Sequence, residues 1–338
     1  VRYKGKYPKK FEEKYKELQP EKYKDTIEHV IQKGNTPAGM HISIMVKEIL
    51  DFLNIQPGET GFDATLGYGG HTKAMLQCLN GKGHIYATDV DPEESAKTKK
   101  RLAEQGFGEE LLTVKLQNFC TIDEIAKEVG GFDFILADLG VSSMQIDNPK
   151  RGFSFKTDGP LDLRLNQEAG ISAARRLDTI SREELAGMLC ENSDEPYCEE
   201  LAKAITDEIR RGNHIDTTTK LRRVIEKTLD FLPEKEKKET IKKTCQRTFQ
   251  ALRIDVNHEF EVLYEFMEKL PDALRPGGRV AILTFHSGED KLVKKALKAG
   301  YKAGIYSDYA KDVIRPSAQE CAKNGRARST KMRWAVKA

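Results

Sequence analysis

The sequence predicts an open α/β sheet with helices on both faces and a helical segment inserted between its fourth and fifth strands. Three observations carry this. Short apolar strands alternate with amphipathic helices over residues 41–147, strand after strand ends in a carboxylate or an aromatic residue, and residues 172–245 follow a helical period. The boundaries that result are a basic extension over 1–40, a core over 41–147 and 246–338, and an insertion over 148–245.

The stretch from Thr60 to His71 organises the core. A strand over Gly61–Ala64 ends in Asp63 and passes into a turn carrying Gly67, Gly69 and Gly70, after which Thr72–Leu79 reads as a helix. Strand, glycine turn and helix bring bare backbone and helix N–H groups to a nucleotide-sized ligand. The spacing is not Gly-x-Gly-x-x-Gly, so the dinucleotide fingerprint of a nicotinamide-dependent dehydrogenase is absent.

Before it, Met45, Ile49, Phe52 and Leu53 form one apolar helical face, closed by Pro57-Gly58. After it, His84–Thr88 is a second strand ending in Asp89, where ribose hydroxyls are gripped in Rossmann-like folds. Pro92–Gln105 is helical, and Leu112–Leu116 is a third strand that delivers Phe119, a flat ring suited to an adenine. Phe132–Leu139 is the fourth strand and delivers Asp138, followed by Gly140-Val141-Ser142-Ser143. Asp63, Asp89, Phe119 and Asp138 are thus expected to face one crevice.

Residues 148–170 are loop-like yet carry Phe153 and Phe155. Ser181 with Glu184 makes a capping box, Leu201, Ile205 and Ile209 form one helical stripe, and Leu221, Ile225 and Leu229 another. The run Lys235–Lys243 reads as a solvated face. Arg247-Thr-Phe-Gln-Ala-Leu-Arg253 opens a helix expected to continue to Leu270, with salt-bridge roles open for either arginine. Pro276-Gly277-Gly278 then leads into a fifth strand, Val280–Phe285, ending in His286-Ser287.

Composition excludes several classes. No run of about 18 apolar residues is present and 32% of residues are charged, so no membrane-spanning helix is expected. Six cysteines without a Cys-x-x-Cys pair point to free thiols in a reducing cytoplasm, and the seven histidines show no metal-ligand spacing, so no metal site is expected. The net charge of +3 hides an asymmetry: residues 1–33 carry +4, residues 315–338 carry +6, and the remainder −7. Basic ends on an acidic middle suggest a polyanion partner, and Tyr3, Tyr7, Tyr15 and Tyr23 between the first lysines add rings able to stack on bases.

Taken together, Gly67-x-Gly-Gly-His71, Asp138-Leu-Gly-Val-Ser-Ser143, Arg151-Gly-Phe-Ser-Phe155, Asp158-Gly-Pro-Leu-Asp-x-Arg164, Arg247-Thr-Phe-Gln250, Phe285-His-Ser287 and Arg326-Ala-Arg-Ser329 resemble the MraW/RsmH methyltransferases. The resemblance runs from about His41 to Arg333. It implies a Rossmann-like class I S-adenosylmethionine-dependent methyltransferase sheet, with methyl transfer to the N4 amine of a decoding-site cytidine in 16S rRNA. The partner would be 16S rRNA or the small ribosomal subunit. Cofactor contacts implied are Gly69, Gly70, His71, Asp89, Phe119, Asp138 and Gln145, beside Gly67 of the same turn; His71 and Gln145 come from the resemblance alone. Gly288 departs from the family pattern, which has leucine after Phe-His-Ser, and the first forty residues have no counterpart in shorter members.

The chemistry assigns provisional roles. Cytosine N4 is a weak nucleophile, so an acceptor for one of its hydrogens is needed. Asp138 or Ser142 is expected to supply it, His286 to assist or orient the base, and Phe153, Phe155 or Phe249 to stack on the cytosine. Arg247, Arg253, Arg326 and Arg328 are candidates for phosphate contacts, with Arg253 alternatively pairing to Asp158 or Asp162. A methyltransferase of another rRNA nucleotide, or a non-catalytic RNA-binding assembly factor on the same fold, would share much of this pattern.

Overall fold

The computed structural model describes residues 42–338 together with Glu21. The basic extension, with its tyrosines and the glycine-rich segment before His41, lies outside the described residues.

In chain order, helix α1 (Val46–Leu53) leads into β1 (Thr60–Asp63), α2 (Gly70–Leu79), β2 (His84–Asp89), α3 (Pro92–Glu104), β3 (Leu112–Leu116), α4 (Ile122–Val129) and β4 (Phe132–Asp138). The short α5 (Ser143–Asp147) follows. Then come the five helices α6 (Ala173–Thr179), α7 (Arg182–Ser193), α8 (Cys198–Arg210), α9 (Thr218–Thr228) and α10 (Glu234–Val256). The chain returns through α11 (Glu259–Ala273) to β5 (Leu274–Thr284), α12 (Ser287–Lys302), β6 (Tyr306–Tyr309), α13 (Ala318–Lys323) and β7 (Lys331–Lys337).

The strands form one sheet in the order β3-β2-β1-β4-β5-β7-β6. β3, β2, β1, β4 and β5 run parallel, while β7 is antiparallel to both β5 and β6. The order reverses between β1 and β4, and ligands of open α/β sheets bind outside the strand ends at that point.

Side-chain alternation builds a core on each face. Along β4, Phe132, Ile135 and Ala137 join α4, α11 and α12 on one side, while Phe134 and Leu136 join α1 and α2 on the other. β5 divides the same way, Val280 and Ile282 against Ala281 and Leu283. Helices α6–α10 enclose a third core containing Leu201, Ile205, Leu221, Ile225 and Leu229.

Three element boundaries depart from expectation. The helix expected from Arg247 to Leu270 is two helices, because His258 takes a left-handed conformation (φ 51°) between α10 and α11. Asn257 stabilises the break: its amide nitrogen donates to Leu163 O and Arg253 O, and its oxygen accepts from Leu165 N, each at 2.8 Å. α10 also starts far earlier than Arg247, so the Lys235–Lys243 run belongs to it. β5 begins at Leu274 rather than Val280, and Phe132 and Phe134 pair with Leu274 and Arg279, so Pro276-Gly277-Gly278 bulges out of the strand.

Candidate active site

The floor of the crevice is the turn after β1. Gly69 sits at φ 82°, and a Cβ there would come within 2.7 Å of the Thr98 methyl, so backbone conformation and the packing of α3 both require glycine. Gly67 N donates to Asp89 Oδ2 at 2.8 Å, and Asp91 N donates to Asp89 Oδ1 at 2.9 Å. Burial pushes the Asp89 carboxyl up, and these two N–H groups partly oppose the shift.

Asp63 corrects an expectation. It does not reach the crevice wall; it is 1% exposed, accepts from Thr72 Oγ1 at 2.5 Å and Thr65 N at 3.1 Å, and secures the first turn of α2. Burial raises its pKa to about 6.

His71 joins two walls. Its Nε2 lies 2.7 Å from Ile44 O and its Nδ1 3.3 Å from Asp138 Oδ2. A carbonyl and a carboxylate both accept, so the ring satisfies them together only as the imidazolium. Burial opposes that charge, but Asp138 and the Ile44 carbonyl outweigh it and the pKa of His71 is raised. The Asp138 side chain remains 28% exposed.

The loop after β4 is held through a capping box. Ser142 Oγ accepts from Gln145 N at 3.2 Å, and Gln145 Oε1 accepts from Ser142 N at 2.9 Å. Gln145 Nε2 donates to Asp91 Oδ2 at 3.1 Å, which fixes the sense of the amide.

The opposite wall comes from α10, α11 and α12. Arg253 forms a two-bond pair with Glu259 at 2.8 and 3.0 Å, in place of the expected Asp158 or Asp162. Asp162 is taken by Arg164 at 2.7 Å, and Asp158 by the Thr219 hydroxyl. His286 caps α12, its Nδ1 3.4 Å from Glu289 N and its Nε2 3.3 Å from Glu289 Oε1. Burial raises the Glu289 carboxyl, but His286, the Phe285 N–H and Arg253 outweigh burial and hold it below the usual carboxylate range. The fold also brings ligand atoms of Glu259, His286 and Glu289 within 4.8 Å of one another, a cluster that histidine spacing along the chain could not reveal. Gly288 has its reason here: a Cβ would sit 2.6 Å from the Phe260 ring, which packs edge-on against His286.

These walls enclose a cavity of about 360 Å³. Gly67, Gly69, Gly70, His71, Asp89, Phe119, Asp138, Ser142, Gln145, Arg253, His286 and Arg326 all line it. The expected base-stacking rings are placed differently. Phe153 and Phe249 are 8% and 4% exposed and belong to the core of α6–α10, and Phe155 packs edge-on against Phe249 at 5.8 Å. Burial in that core removes Phe153 and Phe249 as stacking platforms. Arg247 lies away from the crevice, 3.9 Å from buried Glu195, while Arg326 pairs with Asp147 at 3.1 Å and Arg328 is exposed outside the cavity. Sequence reasoning missed Asn257, Glu259 and Glu289. The signals were the i, i+4 spacing of Arg253 and Asn257 and the carboxylate three residues after His286.

A glycine turn under a half-buried carboxylate at β2, an aromatic after β3 and a histidine–aspartate pair at β4, all on a sheet of this order, define a class I methyltransferase. The family model described as the MraW methylase family matches residues 38–338, and the chain belongs to that family. It is accordingly an S-adenosylmethionine-dependent methyltransferase. The ribosomal RNA small subunit methyltransferase H 1 of Agathobacter rectalis is 87% identical over 338 residues, covering 100% of this chain and 97% of that protein. The ribosomal RNA small subunit methyltransferase H of Acidobacterium capsulatum is 37% identical over 301 residues, covering 88% and 98%. Among solved structures, a putative rRNA-methylase from Clostridium thermocellum aligns over 88% of this chain and 100% of that one at 12% identity, with a TM-score of 0.42.

The cavity suits the cofactor. Its volume lies in the range of small-molecule sites, and the crowding at Gly69 leaves bare backbone facing the ligand. The His71 ring and the Asp138 carboxylate stand 3.3 Å apart on its wall.

Proposed function

We propose that this chain methylates the exocyclic N4 amine of a cytidine in the decoding region of 16S rRNA, using S-adenosylmethionine. The observation that carries the reading is the His71–Asp138 pair at the end of β4, inside a cavity whose other walls carry Asp89 and Phe119. Names of relatives that span the chain supply the substrate class, ribosomal RNA of the small subunit.

Bound S-adenosylmethionine supplies an already activated methyl group on a sulfonium. The protein's own work is then to orient N4 and receive a proton. Asp138, paired with His71 and partly exposed, is the acceptor for an N4 hydrogen. Ser142 Oγ already accepts from Gln145 N, so its role is to place the loop. His286 is tied to Glu289 and orients the base edge, while Arg326, held by Asp147 at the cavity wall, is the phosphate contact nearest the crevice. Arg328, exposed beside it, extends that contact along the RNA backbone.

Mass mapping of rRNA from a strain lacking this chain should show loss of one N4-methyl mark on a small-subunit cytidine, and an unchanged rRNA pattern overturns the reading. In vitro, Asp138→Asn at saturating cofactor should lower the single-turnover rate by about 10²- to 10⁴-fold. A wild-type rate would remove Asp138 as acceptor.

A further inference from the structure

We propose that Asp91 and Arg151 are a positioning pair for methyl transfer: they fix Gln145, and through it the Ser142 loop, at the ribose end of the cofactor site. They thereby tie the reacting geometry to the seating of the helical insertion. The proposal rests on the reading of the crevice as the methyl-donor site.

Asp91 is 1% exposed and Arg151 5% exposed, so the pair is inside the protein. Asp91 Oδ1 caps α3 by accepting from Glu93 N and Glu94 N, both at 3.1 Å. Oδ2 is not needed for the cap. It accepts instead from Arg151 Nη2 at 2.6 Å and Gln145 Nε2 at 3.1 Å.

Three paths leave this carboxylate. One runs through its own N–H to Asp89 and on to Gly67 N. A second runs through the Gln145 amide to Ser142 N. The third runs from Arg151 Nη2 to Leu165 O at 2.7 Å, and Leu165 N is held by Asn257 at the α10–α11 break. Leu165 also lines the cavity.

An N-cap alone does not need a buried arginine, and Arg151 Nε has no hydrogen-bond partner among the described residues. A buried ion pair is a poor means of stabilisation, and fixing register is its best-attested use. Here the register fixed is that of the Ser142 loop against the ribose carboxylate.

The test uses the full chain with Asp91→Asn, Arg151→Met and the double variant Asp91→Asn/Arg151→Met. Three readouts are taken: thermal unfolding, S-adenosylhomocysteine binding by calorimetry, and single-turnover methylation of small ribosomal subunits. Asn still caps α3, so Asp91→Asn should bind S-adenosylhomocysteine within about threefold of wild type while the rate falls by about 10- to 100-fold, the scale of a slight misplacement of reacting groups. Arg151→Met leaves a buried charge unmatched and should lose both rate and melting temperature. The double variant removes that charge and should regain melting temperature but not rate. If rate follows melting temperature across all three variants, the pair is merely structural and the proposal falls. If the wild-type chain does not bind S-adenosylhomocysteine, the reading of the crevice fails first, and that result is separate from any variant.

Discussion

Both ring nitrogens of His71 meet oxygen acceptors, so losing a proton turns a lone pair toward either the Ile44 carbonyl or the Asp138 carboxylate. The raised pKa sets the sign of the pH response. The contribution of the charged ring is complete below the ordinary histidine value of 6.5 and is lost as pH rises through the higher folded value. Folding stability measured by denaturant unfolding should therefore fall on the alkaline side. His71→Gln, which cannot carry the charge, should be less stable by about 1.5–3 kcal/mol at neutral pH and lose that pH dependence, because that is what hydrogen bonds to charged groups contribute. Asp63 responds to pH in the same sense. Its carboxyl, raised to about 6 by burial, is protonated more readily in the folded chain, so folding stability falls between its ordinary value of 3.8 and about 6 as pH rises.

At the scale of elements, the junction of α10 and α11 decides how the insertion meets the core. Asn257 makes three hydrogen bonds of 2.8 Å there, two of them to Leu163 and Leu165 in the loop above the cavity. Asn257→Ala leaves buried backbone groups unpaired. It should destabilise the chain by about 2–4 kcal/mol in denaturant unfolding, with earlier proteolytic cleavage in residues 148–170. The strands were legible because alternation and turn residues mark them: β3 has the expected bounds, and β1, β2 and β4 differ only at their ends. The junction was not legible. Asparagine does not break a helical period, and what ends α10 is a long-range contact with a loop about ninety positions away, a separation of 92 from Leu165. The same gap hid Glu259, which meets Arg253 only because the chain bends between them. Phe153 and Phe249 misled for a different reason: an aromatic ring in a polar loop or on a polar helix reads alike whether it stacks on a base or closes a core.

For the molecule as a whole, the basic ends are the long-range feature. Ile42, Ser43 and Ile44 line the cavity, and Met45 N is held at 2.8 Å by Glu320 of α13, just before Arg326. Ten lysine and arginine residues lie in residues 1–33. A chain lacking residues 1–37 should bind small-subunit RNA more weakly, with a shallower dependence of log K on log salt, by about 0.7 for each phosphate no longer neutralised. Its single-turnover rate at saturating substrate should stay unchanged. Charge reversal of Arg326 and Arg328 should flatten the slope further, and an unaltered slope in both variants would limit polyanion binding to other surfaces.

The strand order has a consequence for how this protein comes into being. β7 is made after the other six strands yet lies between β5 and β6, and the contact from Glu320 to Met45 spans 275 positions. A chain still emerging from the ribosome therefore has an open sheet edge at β5 and an unfinished wall beside α1. Closure waits for translation of the last strand, and nonlocal pairing of this kind is slow. The sheet is thus completed late: β7 takes its place between β5 and β6 only after both of those strands have been made.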